Sequence, residues 1–548
     1  MCAKVRLLAN GLLVALTCLA LGSSSWGARP VQSCTAGAAS ALTNPYPTPW
    51  PSGPQNLLAQ WSADVPSLTW QQGLAAPHMQ NLHDQSATNV ATDVVPIGWP
   101  MRGNVPANTY RTRALGPVWV KNTWTYAASG AYVWRPAVAP NGTIYVNTVR
   151  FPSGGVDGQL VALHLDGTLK WSVPLTNAAG AALWTSSTPV IDEAGNIYVA
   201  WAHDRDFRRL TCLAFDPDGN VRWRFEPNIE FEMASHQEPV LANGVLYAAL
   251  DTSFQIGNPT HRASIFALEP TTGQPLWHWR SPNLDTFFDG PAIGSDGAIY
   301  HASAANSLRD AHGWLYRLLP NGTLDWSRDL GWAGVNCPPA LDADNNVYLG
   351  DLAGVAWKFT HTGNLAWTYD TLSGRIYTSP ALRDNHVLIG AADRGLHIVE
   401  AETGLPVTIL EPNLYPMGKS VDRAGDVFFY CFDPSGTVFA YGLNNRPWWR
   451  STTGAGVSVN ACIVGRNSLL LVSNSQRLIA YSGFFLGDLN CDGALNFTDI
   501  NPFVLALSNP PGYQALYPNC NIDLADINGD GGVNFGDINP FVRLLTQP

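Results

Sequence analysis

Four short runs decide the fold: Pro136-Ala-Val138, Gly142-Thr-Ile-Tyr-Val146, Gln159-Leu-Val-Ala-Leu163 and Gly167-Thr-Leu-Lys-Trp171. Each is apolar, strand-length and followed by a turn, and Asn141-Gly142 and Asp166-Gly167 are residue types that accept positive φ. This is a four-stranded antiparallel meander. The same phrase recurs down the chain, so most of the protein reads as one small sheet copied many times.

Working outward, Pro136, Pro189, Pro239, Pro291, Pro339 and Pro380 open six copies, and looser ones begin near Val421 and Ala461. The fourth strands end at Trp171, Trp223, Trp277, Trp326 and Trp367, 41 to 54 residues apart, then near Val407 and at Trp448 or Trp449. That spacing fits a propeller blade. Strands such as Ile144–Val146 are apolar at consecutive positions, so both faces must be buried, as they are between stacked blades. The eighth copy stops at Tyr481 without a fourth strand, whereas the stretch around Trp124 is a fourth strand without the preceding three. Joining them would close a ring and remove two exposed edges. The expectation is an all-β, eight-bladed β-propeller over residues 97–483, with seven blades the runner-up.

Composition agrees with that reading. Charged residues make up 13% of the chain, against 50 Gly, 40 Pro and 21 Trp, which favours β structure over helices. The net charge of −11 and the lack of Lys/Arg clusters argue against nucleic acid as a partner. Residues 1–27 have the form of a secretory signal, with Lys4 and Arg6 before the apolar run Leu7–Leu21 and small residues near Gly27. The mature chain is then expected to be secreted, extracellular or attached to a bacterial cell surface, with no membrane span. Residues 28–96 lack periodicity and read as a loosely ordered leader. Seven of the nine cysteines follow the signal, an odd number that leaves at least one thiol unpaired or bonded to another molecule.

The segments Ala162-Leu-His-Leu-Asp-Gly-Thr-Leu-Lys-Trp171 and Lys358-Phe-Thr-His-Thr-Gly-Asn-Leu-Ala-Trp367 resemble the repeat of quinoprotein-like (PQQ-repeat) β-propellers. In that family the equivalent Gly and Trp lock neighbouring blades. The family includes dehydrogenases and non-enzymatic scaffolds such as the outer-membrane assembly propeller, so fold alone does not choose between them. Its dehydrogenases typically carry an adjacent Cys-Cys pair against the cofactor. This chain has no Cys-Cys and no Cys-x-x-Cys-His, so PQQ is not expected as a cofactor.

A second motif lies in residues 486–548. Asp488, Asn490, Asp492, Asn496 and Asp499 stand at positions 1, 3, 5, 9 and 12 of a loop with Gly493 at position 6. Asp526, Asn528, Asp530, Asn534 and Asp537 repeat it around Gly531. With the carbonyls of Ala494 and Gly532 at position 7, each loop offers the oxygen set of a calcium site, and two Ca2+ ions are expected. Each loop enters a helix at Ile500-Asn-Pro-Phe-Val or Ile538-Asn-Pro-Phe-Val. Cys491 and Cys520 fall in the same small module, where a disulfide between them would brace a domain with little core. The duplicated loop and helix resemble a type I dockerin, an α-helical, EF-hand-like domain. That resemblance implies docking to a cohesin-like protein or surface scaffold, mostly in glycan-degrading systems. Positions 10 and 11, which help choose the partner in that family, are Phe497-Thr498 and Phe535-Gly536.

Within the ring, residues preceding the opening prolines should face the mouth of the central channel. They include Trp134, Arg135, His236, Gln237, Glu238, Asp289, Tyr377 and Lys419, a mixed polar and aromatic group able to hold a glycan or peptide or simply to satisfy backbone groups. Asp285 and Asp289 form the one acid pair considered for glycoside chemistry, and 203–209 is a charged loop. The expectation is a non-catalytic binding or scaffold propeller with a calcium-dependent docking module. The alternatives are a polysaccharide-degrading enzyme delivered by that module and a PQQ-dependent dehydrogenase.

Overall fold

A computed structural model describes residues 101–546, apart from 205–209, 228–237, 251–262, 284–289, 304–312, 432–435, 454–459, 465–468 and a few shorter loop stretches. The expected signal and leader, residues 1–96, lie outside the described residues. Eight four-stranded sheets follow one another. Blade 1 is Tyr132–Val138, Ile144–Arg150, Asp157–Leu163 and Leu169–Pro174, each strand antiparallel to the next. Blades 2 to 6 follow at 190–225, 240–280, 292–329, 340–370 and 381–410, and blade 7 is Pro416–Val421, Val427–Cys431, Thr437–Tyr441 and Pro447–Thr452.

The eighth blade is built from both parts of the chain. Asn460–Val464, Leu469–Ser473 and Leu478–Phe484 supply three strands, and the early strand Trp119–Tyr126 supplies the fourth. Trp124 pairs with Ala480 and Thr123 with Tyr481. The ring therefore has eight blades, and its ends are sewn together by main-chain hydrogen bonds.

Tryptophan and glycine do the locking between blades. A Cβ on Gly167 would fall 2.5 Å from the ring of Trp124, and Gly273 and Gly322 stand just as close to Trp223 and Trp277 of the preceding blade. Gly167 also has φ +84°, so two independent constraints require glycine there. The indole N–H of Trp171, Trp223, Trp277, Trp326 and Trp367 each donates to a carbonyl in the next blade, at 2.7–3.2 Å. Trp449 closes the series by donating to Pro117 beside the N-terminal strand, 2.6 Å away. Blade 6 departs from this pattern: Thr408, which pairs with Ile398 as Trp171 pairs with Ala162, takes the place of the tryptophan. In blade 7 Asn445, at φ +60°, stands where blades 1 to 6 have the locking glycine.

The centre of the ring is partly filled by the chain itself. Residues 106–112 pass along the innermost strands of blades 4 to 7, whose edges would otherwise be unpaired. Ile293, Leu341, Leu382 and Val421 donate in turn to the carbonyls of Pro106, Ala107, Thr109 and Tyr110, at 2.8–3.0 Å. Asn108, at φ +53°, adds side-chain N–H bonds to the carbonyls of Pro291 and Pro339. Four successive blades within reach of five residues is a geometry available only near the axis.

After Phe484 the chain turns helical: α1 is Ile500–Ser508, α2 Pro510–Leu516 and α3 Ile538–Thr546. Phe503 and Phe541, one from each repeat, stack with centroids 4.1 Å apart. Their cluster is continuous with Leu115, Val118, Phe484 and Phe485 of the ring, so the module is packed on the blade 8 seam. Cys491 and Cys520 are joined by a disulfide, Cα–Cα 5.8 Å. Cys212, Cys337 and Cys431 are buried thiols, and burial pushes Cys212 up to about 12. No described helix is long and apolar enough to cross a membrane.

Candidate functional site

At the channel, part of the expected set is brought together. Arg135, from the first strand of blade 1, forms an ion pair with Glu238, which leads into blade 3. The other Glu238 oxygen accepts the N–H of Thr188 at the entry of blade 2, 2.6 Å away. One buried carboxylate thus ties three blades together, and its oxygens are spent on structure. Trp134 stacks beside Tyr132. Tyr377 accepts from Arg375 at 2.6 Å and lies near Tyr415, away from that group in sequence and blade. Lys419 is buried and donates to Thr378. His236, Gln237, Asp285 and Asp289 lie outside the described residues, as do 205–209 of the charged loop. A cleft of about 570 Å³ opens between blades 6 and 7, lined by Glu411, Leu414, Phe439 and Arg450, and none of the expected channel residues line it.

The two C-terminal loops are built alike. Gly493, φ +85°, turns its N–H onto Oδ2 of Asp488, and Gly531, φ +92°, does the same to Asp526 at 3.0 Å. Asn490 and Asn528 accept from the N–H of Asp492 and Asp530, and those carboxylates accept from Ala494 and Gly532. Asn496 and Asn534 cap the short turns that lead into α1 and α3. Asp499 receives the N–H groups of Leu489, Asn490 and Asn496, and Asp537 those of Asn528 and Asn534.

One pair of atoms is left out of this network. Oδ1 of Asp488 and Oδ1 of Asp526 are buried and have no hydrogen-bond partner, on residues that are 0% and 1% exposed. A buried anionic oxygen with no donor is costly unless a cation compensates it. Asp488 is pushed up to about 7, first by burial and then by the charge of Asp499. Asp499 and Asp526 are also raised by burial, with Arg446 opposing the shift at Asp526. Among the described residues no group of three or more His, Cys, Asp or Glu side chains is arranged to hold a metal ion unaided. The available donors are a mixture of Asp, Asn and the carbonyls of Ala494 and Gly532, the oxygen-only set that suits a hard cation.

Outside the loops, each repeat shows an apolar stripe. Phe497 and Phe535 are 74% and 82% exposed, and Ile500, Val504, Ile538 and Val542 extend the two stripes along α1 and α3. Sequence reading missed two elements here. The axial segment 106–112 has no alternation to mark it as strand-like. Arg446, which reaches from blade 7 to Asp526, is an ordinary loop residue until the fold is closed.

Fold and repeat together define the class: an eight-bladed propeller of PQQ-type repeats with a helical appendage. The sequence family described as outer membrane protein assembly factor BamB matches residues 114–249 and 261–483, and the chain belongs to it. Among solved structures, the chain is similar to the quinohemoprotein alcohol dehydrogenase of Comamonas testosteroni (12% identity, 81% of this chain and 95% of that one, TM-score 0.53). It is also similar to a europium-containing methanol dehydrogenase (14%, 68% and 89%, TM-score 0.51). BamB from Moraxella catarrhalis matches at 13% identity over 66% of this chain and all of that one, TM-score 0.47. At these identities the likeness concerns the fold. No curated protein sequence matches the chain.

Proposed function

We propose that this is an exported, non-catalytic binding propeller, attached through a calcium-loaded, dockerin-like C-terminal module to a cohesin-like partner or surface scaffold. The observation that carries the reading is the pair of buried, unpartnered carboxylate oxygens at position 1 of both loops. A cation there would be held by Asp488, Asn490, Asp492, Asn496, Asp499 and the carbonyl of Ala494, and in the second loop by their counterparts. It would supply the countercharge that no described ion pair gives Asp488 and that Arg446 gives Asp526 only through Oδ2. The solvent-facing Phe497 and Phe535, in symmetric positions beside the loops, support a docking role for the same surface.

Two features favour binding over catalysis in the ring. The chain has no Cys-Cys pair of the kind that quinone dehydrogenases of this repeat carry. The channel carboxylate Glu238 is engaged by Arg135 and Thr188, and the axis is occupied by residues 106–112.

Calorimetric titration of the full chain tests the module. Uptake near two equivalents of Ca2+ is expected, and Asp488→Ala with Asp526→Ala should abolish it. A panel of cohesin modules should then yield a partner that binds with calcium, is released by chelator and is weakened at least tenfold by Phe497→Ala with Phe535→Ala. A chain that takes up no calcium, or docks equally well in chelator, sinks the reading.

A further inference from the structure

We propose that Arg446 of blade 7 sets the two calcium loops to different affinities and makes the second the weaker. This rests on the calcium reading above. The loops carry the same five side-chain ligand types in the same order, and their internal hydrogen bonds nearly coincide. What separates them comes from outside the module. Arg446 Nη1 donates to Oδ2 of Asp526, and Nη2 lies 3.5 Å from Asp523. The guanidinium is held over the Trp448 ring, 5.0 Å from its centroid. Among the described residues no ion pair reaches Asp488, the matching position in the first loop.

The consequence follows from which oxygen each group uses. Oδ2 of Asp526 is shared by Gly531 and Arg446, whereas Oδ1 is buried without a partner and free for a cation. A divalent ion held through Oδ1 would face a fixed positive charge across a single carboxylate. Like charges so placed oppose each other by roughly a factor of ten in affinity, even with nearly solvent-like screening. The first loop has no such neighbour. The effect is reciprocal, so filling the second loop weakens the hold of Arg446 on Asp526 and loosens the module at blade 7. The second loop thereby reads its attachment to the ring.

Calcium titration by calorimetry on the full chain should show two phases, and Asp488→Ala should remove the tighter one. Arg446→Gln should tighten the weaker phase roughly tenfold and leave the other in place. Arg446→Lys keeps the charge and should resemble the native chain. Equal affinities in the native protein, an unmoved second phase in Arg446→Gln, or a tenfold tightening in Arg446→Lys as well would overturn the proposal. Complete absence of calcium heat in the native chain would instead refute the calcium reading itself. Far-ultraviolet circular dichroism, unchanged in each variant, verifies that the fold is retained.

Discussion

The ring and its appendage hold themselves together by different means. In the ring, strands such as Ile197–His203 and Leu210–Phe215 are buried at every position, and each blade lays a tryptophan on the next at most interfaces. Its stability is apolar, repeated and spread around a circle. In the module, the least accessible residues include four carboxylates, Asp488, Asp499, Asp526 and Asp537, while two phenylalanines face solvent. A small core around the stacked Phe503–Phe541 pair, with Leu489, Tyr513 and Leu524 beside it, and one disulfide complete it. The ring should therefore be indifferent to reductant and chelator, and the module sensitive to both.

The largest effect that would break this contrast is expected at the seam. Trp124 fills the space above Gly167 and sits within the strand that closes blade 8. Trp124→Ala should cost the ring roughly 3–5 kcal/mol in denaturant unfolding, the range for deleting a packed tryptophan. The appendage packs on the same seam, so the variant should also lower the temperature at which the module detaches. A ring unchanged by this substitution would mean that the seam is not where its stability resides. Next comes Cys491→Ser with Cys520→Ser. Opening a loop with sequence separation 29 should remove about 2–4 kcal/mol from the module alone. If the ring melts earlier by the same amount, the two regions unfold as one unit and the contrast fails.

Much of this was legible in the chain because repetition makes local signals reinforce each other. Eight opening strands, five well-spaced tryptophans and the mismatch between the Trp124 stretch and the Tyr481 stretch were enough to place the seam. The loop spacing of Asp488 to Asp499, copied at Asp526 to Asp537, likewise marked both loops, and the presence of Cys491 and Cys520 in one small module with little core pointed to their disulfide. What could not be read was whatever depends on contacts distant in sequence. Residues 106–112 take their structure from blades 4 to 7, up to about three hundred positions away, and their own sequence has no period. Glu238 looked like a mouth-facing ligand group, but Arg135 and Thr188 come to it only once blades 1 to 3 stand side by side. Blade 6 was legible as weak because the tryptophan series breaks near Val407, and the structure puts Thr408 where the other blades have the indole.

The smallest expected effect belongs to the ring and sharpens the contrast by pH. His397, on the third strand of blade 6, meets the hydroxyl of Tyr369 from blade 5 through Nδ1 at 2.9 Å, while its Nε2 is buried without a partner. Burial, aided by the charge of Arg394, lowers its pKa from 6.5 to about 4. Protonation would put a charge on a ring that has one nitrogen unsolvated, and the unfolded chain accepts that proton more readily. The stability this neutral histidine contributes is complete above pH 6.5 and is lost as pH falls toward 4. The loss should be on the order of 1 kcal/mol after allowance for solvent screening, measured as the acid limb of ring unfolding. His397→Gln retains an acceptor for Tyr369 but cannot titrate, so it should flatten that limb between pH 6.5 and 4. If the limb keeps its slope, the acid sensitivity of the ring originates elsewhere than at the blade 5–6 contact.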